Sequence, residues 1–302
     1  MAHLHVIAGA ETNVGADASS ALPVVRKISM SDLKDALAKG IDDFRAFPTH
    51  AIFLSIIYPI TGLVLAGLTF SYDLWPLLYP LAAGFALVGP FAAVGLCELS
   101  RQRERGPNLS LWEAFRTRRS PSTDGIVAVG LLLLLIFALW VAVAQAIYIA
   151  SFGYEPAELI PHFLTRLFTT PAGWRLIIIG NGVGVLFAVA VLTISVVSFP
   201  LLLDRDVGAI VAVMTSVRAV LRNPMVIAAW GLTVAALLLI GSLPFFTGLV
   251  VVVPIVGHST WHLYRKLVEP DPHPRPEPPR PPRRRRFAAQ FPASLFAGED
   301  RH

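Results

Sequence analysis

The sequence has few charged side chains and a single cysteine. Asp, Glu, Lys and Arg make up 15% of its 302 residues, whereas soluble domains carry about 25%. Cys97 has no second cysteine with which to pair, which excludes an intrachain disulfide framework. Water-facing side chains are therefore too scarce for an ordinary soluble protein of this length.

Charge is absent altogether from five long stretches of the chain. These stretches are residues 51–72, 74–97, 126–154, 176–203 and 223–264. About 20 apolar helical residues cross the hydrocarbon of a bilayer, where the backbone must satisfy its own hydrogen bonds. The last stretch is long enough for two spans and contains a turn signal at "IGSLPFF". We therefore predict six transmembrane helices, at about 51–70, 75–97, 126–150, 176–200, 225–241 and 244–264.

The predicted fold is an all-α membrane protein whose six transmembrane helices form three hairpins, with amphipathic helices on the cytoplasmic side. The second helix of each hairpin carries a proline, followed by a short apolar run and then charged residues. These prolines are Pro90, Pro200 and Pro254. The pattern indicates a weak internal repeat, which is common among membrane proteins and transporters.

The distribution of basic residues predicts how the chain is oriented. With six spans, 23 of the 25 Lys and Arg residues fall on the side that holds both termini, and only Arg166 and Arg175 fall opposite. Basic residues are enriched in cytoplasmic connections. We therefore expect a multi-pass protein of the bacterial inner membrane with both termini in the cytoplasm.

Three regions follow along the chain. Residues 1–30 are small and polar and are predicted to be a disordered tail. Residues 31–268 form the membrane domain, which begins with an amphipathic helix along the membrane for which Ser31 is the expected N-cap. Residues 269–302 form a cytoplasmic tail rich in proline and arginine.

Four consecutive arginines stand out in that tail. Their position next to a predicted span favours contact with anionic lipid headgroups. No aromatic-interleaved domain for nucleic acid accompanies them, so nucleic acid is not an expected partner. The residues concerned are Arg283, Arg284, Arg285 and Arg286.

Histidines at the end of the sixth predicted span suggest a metal or haem site as one alternative. His258 and His262 are four residues apart on one helix face, and His50 is expected at the same level of the membrane. The favoured interpretation is a helix leaving the membrane, because Trp261 and Tyr264 are typical of the headgroup region. We expect no bound cofactor.

His258 also suggests a structural contact. It precedes Tyr264 by six residues, or roughly 9 Å along a helix, and so is expected below the headgroups. A polar side chain at that depth needs a partner. Asp204 stands four residues after Pro200, as His258 does after Pro254, and we predict that Asp204 contacts His258.

Several stretches together resemble a known family. They are "SDLKDALAKGIDDFRAFP", "YPLAAGFALVGPFAAVGLCELSRQRERG", "SFPLLLDRDVGAIVAVMTSVRAVLRNP" and "VPIVGHSTWHLYRKLV". They resemble an uncharacterised, mostly proteobacterial family of integral membrane proteins that is recorded as a domain of unknown function. The resemblance covers roughly Ile28 to Val268. It implies six helices in the inner membrane and no established activity, so no catalytic residue is carried over.

Members of that family are sometimes labelled as a cytochrome c oxidase subunit, which implies a place beside a respiratory complex. A haem–copper catalytic subunit would need histidines deep in several helices, and no predicted span has one at its centre. The sequence also has no serine–histidine–acid motif and no nucleotide signature. We therefore expect a non-enzymatic accessory, assembly or membrane-organising factor. The alternatives are a transporter or channel for a small or lipidic substrate and, more weakly, a metal- or haem-binding protein.

Overall fold

The computed structural model describes residues 22–71, 80–81, 94–104, 123–154 and 160–271. Regular structure within these residues is helical, apart from one isolated antiparallel bridge between Val25 and Val268. The helices are α1 (Met30–Ala46), α2 (Pro48–Ser55), α3 (Ile57–Ser71), α4 (Val94–Glu104), α5 (Thr123–Phe152), α6 (Ile160–Thr169), α7 (Pro171–Ser195), α8 (Ser198–Asp204), α9 (Ala209–Arg222), α10 (Pro224–Ser242) and α11 (Leu249–Leu267).

The first helix begins slightly earlier than its sequence predicts. Ser29, not Ser31, is the N-cap, and its hydroxyl accepts a hydrogen bond from the backbone N–H of Asp32. The Asp32 carboxylate accepts in return from the backbone N–H of Ser29, which completes a capping box. The Asp32 carboxylate accepts hydrogen bonds from both the backbone N–H and the hydroxyl of Ser29, and these bonds help to lower its pKa to about 2. A reciprocal pair of this kind outcompetes a single serine two residues later.

Three stretches of helix are long and apolar enough to cross a membrane. They are Thr123–Phe152, Pro171–Asp204 and Pro224–Ser242, and they coincide with the third, fourth and fifth predicted spans. A fourth candidate arises if Met30–Ala46 and Pro48–Val64, which meet at 98°, are taken together. The described residues thus contain three or four candidate spans, and the number six stays a prediction.

The other predicted spans differ from these three. The first, 51–70, is helical but divided between α2 and α3, because Pro59 has no N–H to donate to the carbonyl of Ser55. The second, 75–97, lies largely outside the described residues. The sixth, 244–264, corresponds to α11, which begins only at Leu249, carries Arg265 and Lys266 in its last turn and is not among the candidate spans.

Two pairs of neighbouring helices are packed side by side. The guanidinium of Arg175 at the start of α7 donates to the carbonyls of Ala150 and Ser151 at the end of α5. Farther along, Gly184 lies against the Trp140 ring, so α5 and α7 run antiparallel. Gly241 near the end of α10 similarly lies against Leu249 at the start of α11. The arrangement of the whole chain as three hairpins stays a prediction, because it depends on the second span.

The helices differ in how much of their surface is covered. In α5 and α10, 22% of the most apolar 18-residue window is buried inside the chain, whereas half of the corresponding window in Pro171–Asp204 is buried. Large apolar side chains therefore face outward along α5, α7 and α10, among them Leu135, Ile178, Leu186, Leu232 and Leu239. Such surfaces are typical of helices that contact lipid or other membrane helices.

The best-covered region lies where α1, α4, α8, α9 and α11 meet. Leu201, Leu202, Trp261 and Leu263 are fully buried there. The short helix α8 is separated from α7 near Val196, because Pro200 cannot donate to the Val196 carbonyl. After this break the chain continues from the apolar helix α7 into the covered region.

The predicted disordered tail, residues 1–30, is wrong for residues 22–30, which are ordered and contact the rest of the chain. Val25 is buried, and the backbone N–H of Arg26 donates to the carbonyl of Leu267. The side chain of Asn223 accepts from the N–H of Ile28 and donates to the carbonyl of Arg26. The segment has no periodicity in sequence because its partners are distant parts of the chain. Residues 1–21 lie outside the described part.

Candidate functional site

A buried carboxylate, Asp43, is the centre of a polar cluster at the covered end of the helices. Its Oδ2 accepts a hydrogen bond from the Ser100 hydroxyl at 2.6 Å and lies 2.9 Å from Nε2 of His262. Its Oδ1 accepts from the guanidinium of Arg103. The Asp43 side chain is 7% exposed. A buried charge must be paired in this way to be tolerated.

Each of three helices supplies one side of this cluster. Asp43 comes from α1, Ser100 and Arg103 from α4, and His262 from α11. The approach of α1 to α11 depends on Gly40, where an added Cβ would lie 2.7 Å from the backbone nitrogen of Ser259. The two helices run antiparallel, since Lys266 at the end of α11 pairs with Asp32 and Asp35 at the start of α1. Asp43 and His262 each lie within about one helical turn of the close contact, and their side chains reach one another across it. The close backbone contact thus places the carboxylate beside the imidazole.

His258 joins the cluster through Ser100. Its Nδ1 lies 2.8 Å from the Ser100 oxygen, and its side chain is almost completely buried. Because Ser100 gives its only proton to Asp43, the His258 ring donates from Nδ1. Its Nε2 has no hydrogen-bond partner among the described residues.

The order of these groups differs from that of a hydrolytic triad. In a triad, a histidine stands between the acid and the nucleophile and takes the nucleophile's proton. Here Ser100 stands between Asp43 and His258 and donates its proton to the carboxylate. Ser100 is also 1% exposed, so substrate has no access to its oxygen. The arrangement is suited to joining helices.

The predicted contact between Asp204 and His258 is wrong. Asp204 instead accepts a hydrogen bond from the Tyr264 hydroxyl at 2.7 Å and lies 3.7 Å from the Arg265 guanidinium. His258 and Tyr264 are six residues apart, which places them about 240° apart around the helix axis. The two side chains therefore face different neighbours, although Asp204 and His258 follow their prolines at the same spacing.

Tyr264 and Trp261, which the sequence predicts to face headgroups, are covered by protein. Both are fully buried against the rest of the chain, with their ring centroids 5.5 Å apart. The guanidinium of Arg265 lies 6.0 Å from the centroid of Trp261 and 3.3 Å from Glu104. Aromatic residues at a helix end can pack against protein instead of headgroups, as they do here where α1 and α8 cover the end of α11.

The three histidines suggested as metal ligands do not converge. His262 pairs with Asp43, His258 bonds to Ser100, and His50 on α2 packs edge-on against Phe47. Within the part of the chain that the structure describes, no three His, Cys, Asp or Glu side chains are placed to hold one metal ion. The four tail arginines, Arg283, Arg284, Arg285 and Arg286, lie outside the described residues.

A second set of ion pairs extends the cluster toward its exposed edge. Lys266 of α11 bridges Asp32 and Asp35 of α1, at 3.0 and 2.9 Å. In α4, Arg101 forms a two-point contact with Glu98. The cluster thus joins α1, α4 and α11 by charge as well as by packing.

The sequence did not predict Asp43, Ser100 and Arg103 as residues of the site. A signal for Asp43 did exist, since Leu33, Ala36, Gly40 and Asp43 recur every three or four residues and share the buried face of α1. An acidic residue at the end of an apolar row requires a buried partner. The identity of that partner depends on packing between distant helices.

The stabilising contribution of the Asp43 carboxylate is expected to be lost in acid. Burial raises the pKa of its carboxyl, but hydrogen bonds from His262, Ser100 and Arg103 outweigh burial and hold the pKa below the ordinary value of 3.8. A group with a depressed pKa stabilises the folded state above its unfolded pKa and loses that contribution as the pH falls. The stability difference between the wild type and Asp43→Asn should therefore shrink below about pH 4, measured by unfolding in detergent from pH 7 to pH 3. A constant difference across this range would contradict the assigned role of the charge.

The apolar helices with outward-facing side chains, together with the polar cluster gathered at one end, define an all-α integral membrane protein. Residues 78–204 match the family described as "Predicted integral membrane protein (DUF2189)". The match confirms, for this segment, the resemblance to an uncharacterised family of integral membrane proteins. No curated protein and no solved structure matches the chain.

Proposed function

We propose that this chain is a polytopic protein of the bacterial inner membrane, with both termini in the cytoplasm, and that it acts as a non-enzymatic accessory, assembly or membrane-organising factor. The described residues support this proposal because apolar and polar side chains lie in different parts of the structure. Apolar side chains face outward along the long helices, and polar side chains pair with one another at one end. Such a molecule is built to associate within a membrane.

The exposed apolar faces of α5, α7 and α10 are the main support for an accessory role in the membrane. Leu135, Leu186 and Leu232 are each about two-thirds to three-quarters exposed, although they belong to the most apolar segments of the chain. Because only 22% of the apolar window of α5 and of α10 is buried inside the chain, the exposed side chains of these helices are available to lipid and to helices of a larger membrane complex. Contact between membrane helices depends on packing of this kind, aided by small residues. Gly180 on α7 is one such residue, since an added Cβ there would meet nothing within 4 Å.

The polar cluster supports a non-enzymatic role. Asp43 is engaged by Ser100, Arg103 and His262, and the Ser100 oxygen is inaccessible. Catalytic acids and bases must reach a substrate atom within hydrogen-bond distance. We therefore assign the cluster to the joining of α1, α4 and α11.

The orientation is supported by which segments meet at the covered end. Residues 24–26 pair with residues 267–269, so the chain before α1 and the chain after α11 lie on the same side. Most basic residues belong to this side in the six-span prediction. The preference of basic connections for the cytoplasm then favours a cytoplasmic location for both termini.

Two experiments test the proposal. The tagged full chain, extracted from native membranes in mild detergent, should co-purify with other integral membrane proteins in fixed ratio by mass spectrometry, and an unrelated polytopic protein with the same tag should not. Recovery of a lone, monodisperse chain would contradict the accessory role. Separately, a reporter that is active only in the cytoplasm should work when fused after residue 302 and fail when inserted beside Gly153. The opposite pattern would overturn the orientation.

A further inference from the structure

An open cleft beside the last turns of α9 combines two arginines with apolar walls. The cleft has a volume of about 520 Å³. Arg218, Leu221 and Arg222 form one wall, and Pro23 and Val24 belong to the opposite segment. The cleft is distinct from the Asp43 cluster, whose residues do not line it.

The two arginines have no counter-charge within the protein as described. No carboxylate among the described residues forms an ion pair with Arg218 or Arg222, whereas Arg26, Arg101, Arg103 and Lys266 each have one. They are four residues apart and therefore lie on the same face of α9. A pair of exposed guanidinium groups set side by side is suited to the oxygens of a phosphate.

An exposed apolar row runs along α9 beside these arginines. Its members, Ile210, Met214 and Leu221, are 45 to 75% exposed, and the opposite face packs through Ala212, Thr215, Ser216 and Ala219. Arg218 follows Met214 by four residues, so charge borders the apolar row. A helix with an apolar row edged by basic residues is suited to lie at the boundary between headgroups and acyl chains.

We infer that this cleft binds the headgroup of an anionic phospholipid, with its phosphate on Arg218 and Arg222 and an acyl chain along Leu221 and the exposed side chain of Val24. A phospholipid fits better than a free anion because the arginines border apolar walls that a free anion would not use. Basic clefts on the cytoplasmic side of membrane proteins bind lipid headgroups in this way. The inference rests on the proposed position of this end at the inner leaflet.

The test measures lipid binding to the full chain in detergent by native mass spectrometry. Phosphatidylglycerol should bind more tightly than phosphatidylcholine of the same chain length, with one lipid bound per chain. Arg218→Gln with Arg222→Gln should weaken phosphatidylglycerol binding by about tenfold or more, since each basic residue contributes about 1 kcal/mol near an anionic surface. Phosphatidylcholine binding should not change.

The matched control removes two other exposed charges from the same end of the protein. Lys34→Gln with Arg45→Gln has the same net charge as the cleft variant, and neither residue lines the cleft. Equal weakening by both double variants would overturn the inference, because binding would then depend on net charge alone. So would equal affinity of the wild type for the two lipids.

A second variant leaves the arginines in place. Val24→Glu adds a carboxylate to the cleft at a side chain that is 58% exposed, so folding should be unaffected while phosphatidylglycerol binding falls. Unchanged binding would contradict a headgroup in this cleft. Displacement of the lipid by millimolar inorganic phosphate would instead identify a site for free phosphate and overturn the lipid assignment. Failure of any of these tests leaves the co-purification result, and hence the accessory role, unaffected.

Discussion

Replacing Asp43 with alanine is expected to lower the free energy of unfolding by about 3–5 kcal/mol, the usual effect of removing one member of a buried ion pair. The alanine would leave His262, Ser100 and Arg103 without their shared acceptor. The loss should appear when denaturing detergent is titrated into the protein in mild detergent and the fluorescence of the buried tryptophans is followed.

The neighbouring residue provides the control for this prediction. Asp42 is adjacent on α1, but its side chain is 64% exposed and its ion pair with Arg45 is 3.9 Å long. Asp42→Ala should change the free energy of unfolding by about 0.5 kcal/mol or less. Asp43→Asn keeps the shape of the side chain and should give an intermediate loss. Equal effects of Asp42→Ala and Asp43→Ala would show that the cluster does not hold α1 in place.

Gly40→Ala is expected to be the second most damaging substitution. In the interior of an exposed helix this change normally stabilises by about 0.5–1 kcal/mol, because glycine loses more backbone entropy on folding. At Gly40 the new Cβ would lie 2.7 Å from the nitrogen and 2.9 Å from the Cα of Ser259. These atoms belong to the backbone of α11 and cannot turn away, so α1 must shift. We expect a loss of about 1–3 kcal/mol or more, typical of an overpacked contact.

The same substitution at Gly180 isolates the contact from the helix propensity. Gly180 also lies inside a helix, but a Cβ there meets nothing within 4 Å. Gly180→Ala should therefore leave the stability unchanged or slightly higher in the same detergent titration. If Gly40→Ala proved as harmless as Gly180→Ala, α1 would not approach α11 as closely as the structure shows.

The long apolar helices were predictable because their signal is local. A run without charge, such as 126–154, must find an environment without water whatever its neighbours are, and the helix Thr123–Phe152 confirms that prediction. The helix break near Ile56 has an equally local cause in Pro59. The count of six spans goes further than the three or four candidates in the described residues.

The candidate site was not predictable in the same way. The sequence drew attention to His258 and His262 because they are four residues apart at the edge of a span. Their partners, Ser100 and Asp43, are separated from them by more than 150 residues of sequence. The equal spacing of Asp204 and His258 after their prolines predicted Asp204 as the partner of His258. That spacing gives only a distance along the chain and does not say which way a side chain faces.

By itself, the sequence determined that this is a helical membrane protein, since the scarcity and segregation of charge allow few other ways to hide its apolar surface. Only the tertiary structure decided which buried polar groups meet, because Gly40 lets two distant helices approach closely enough for Asp43 to reach His262. The same packing covers Trp261 and Tyr264 with protein instead of headgroups. Hydrophobicity is a property of each segment, whereas a hydrogen bond between helices depends on the rotation and separation of both.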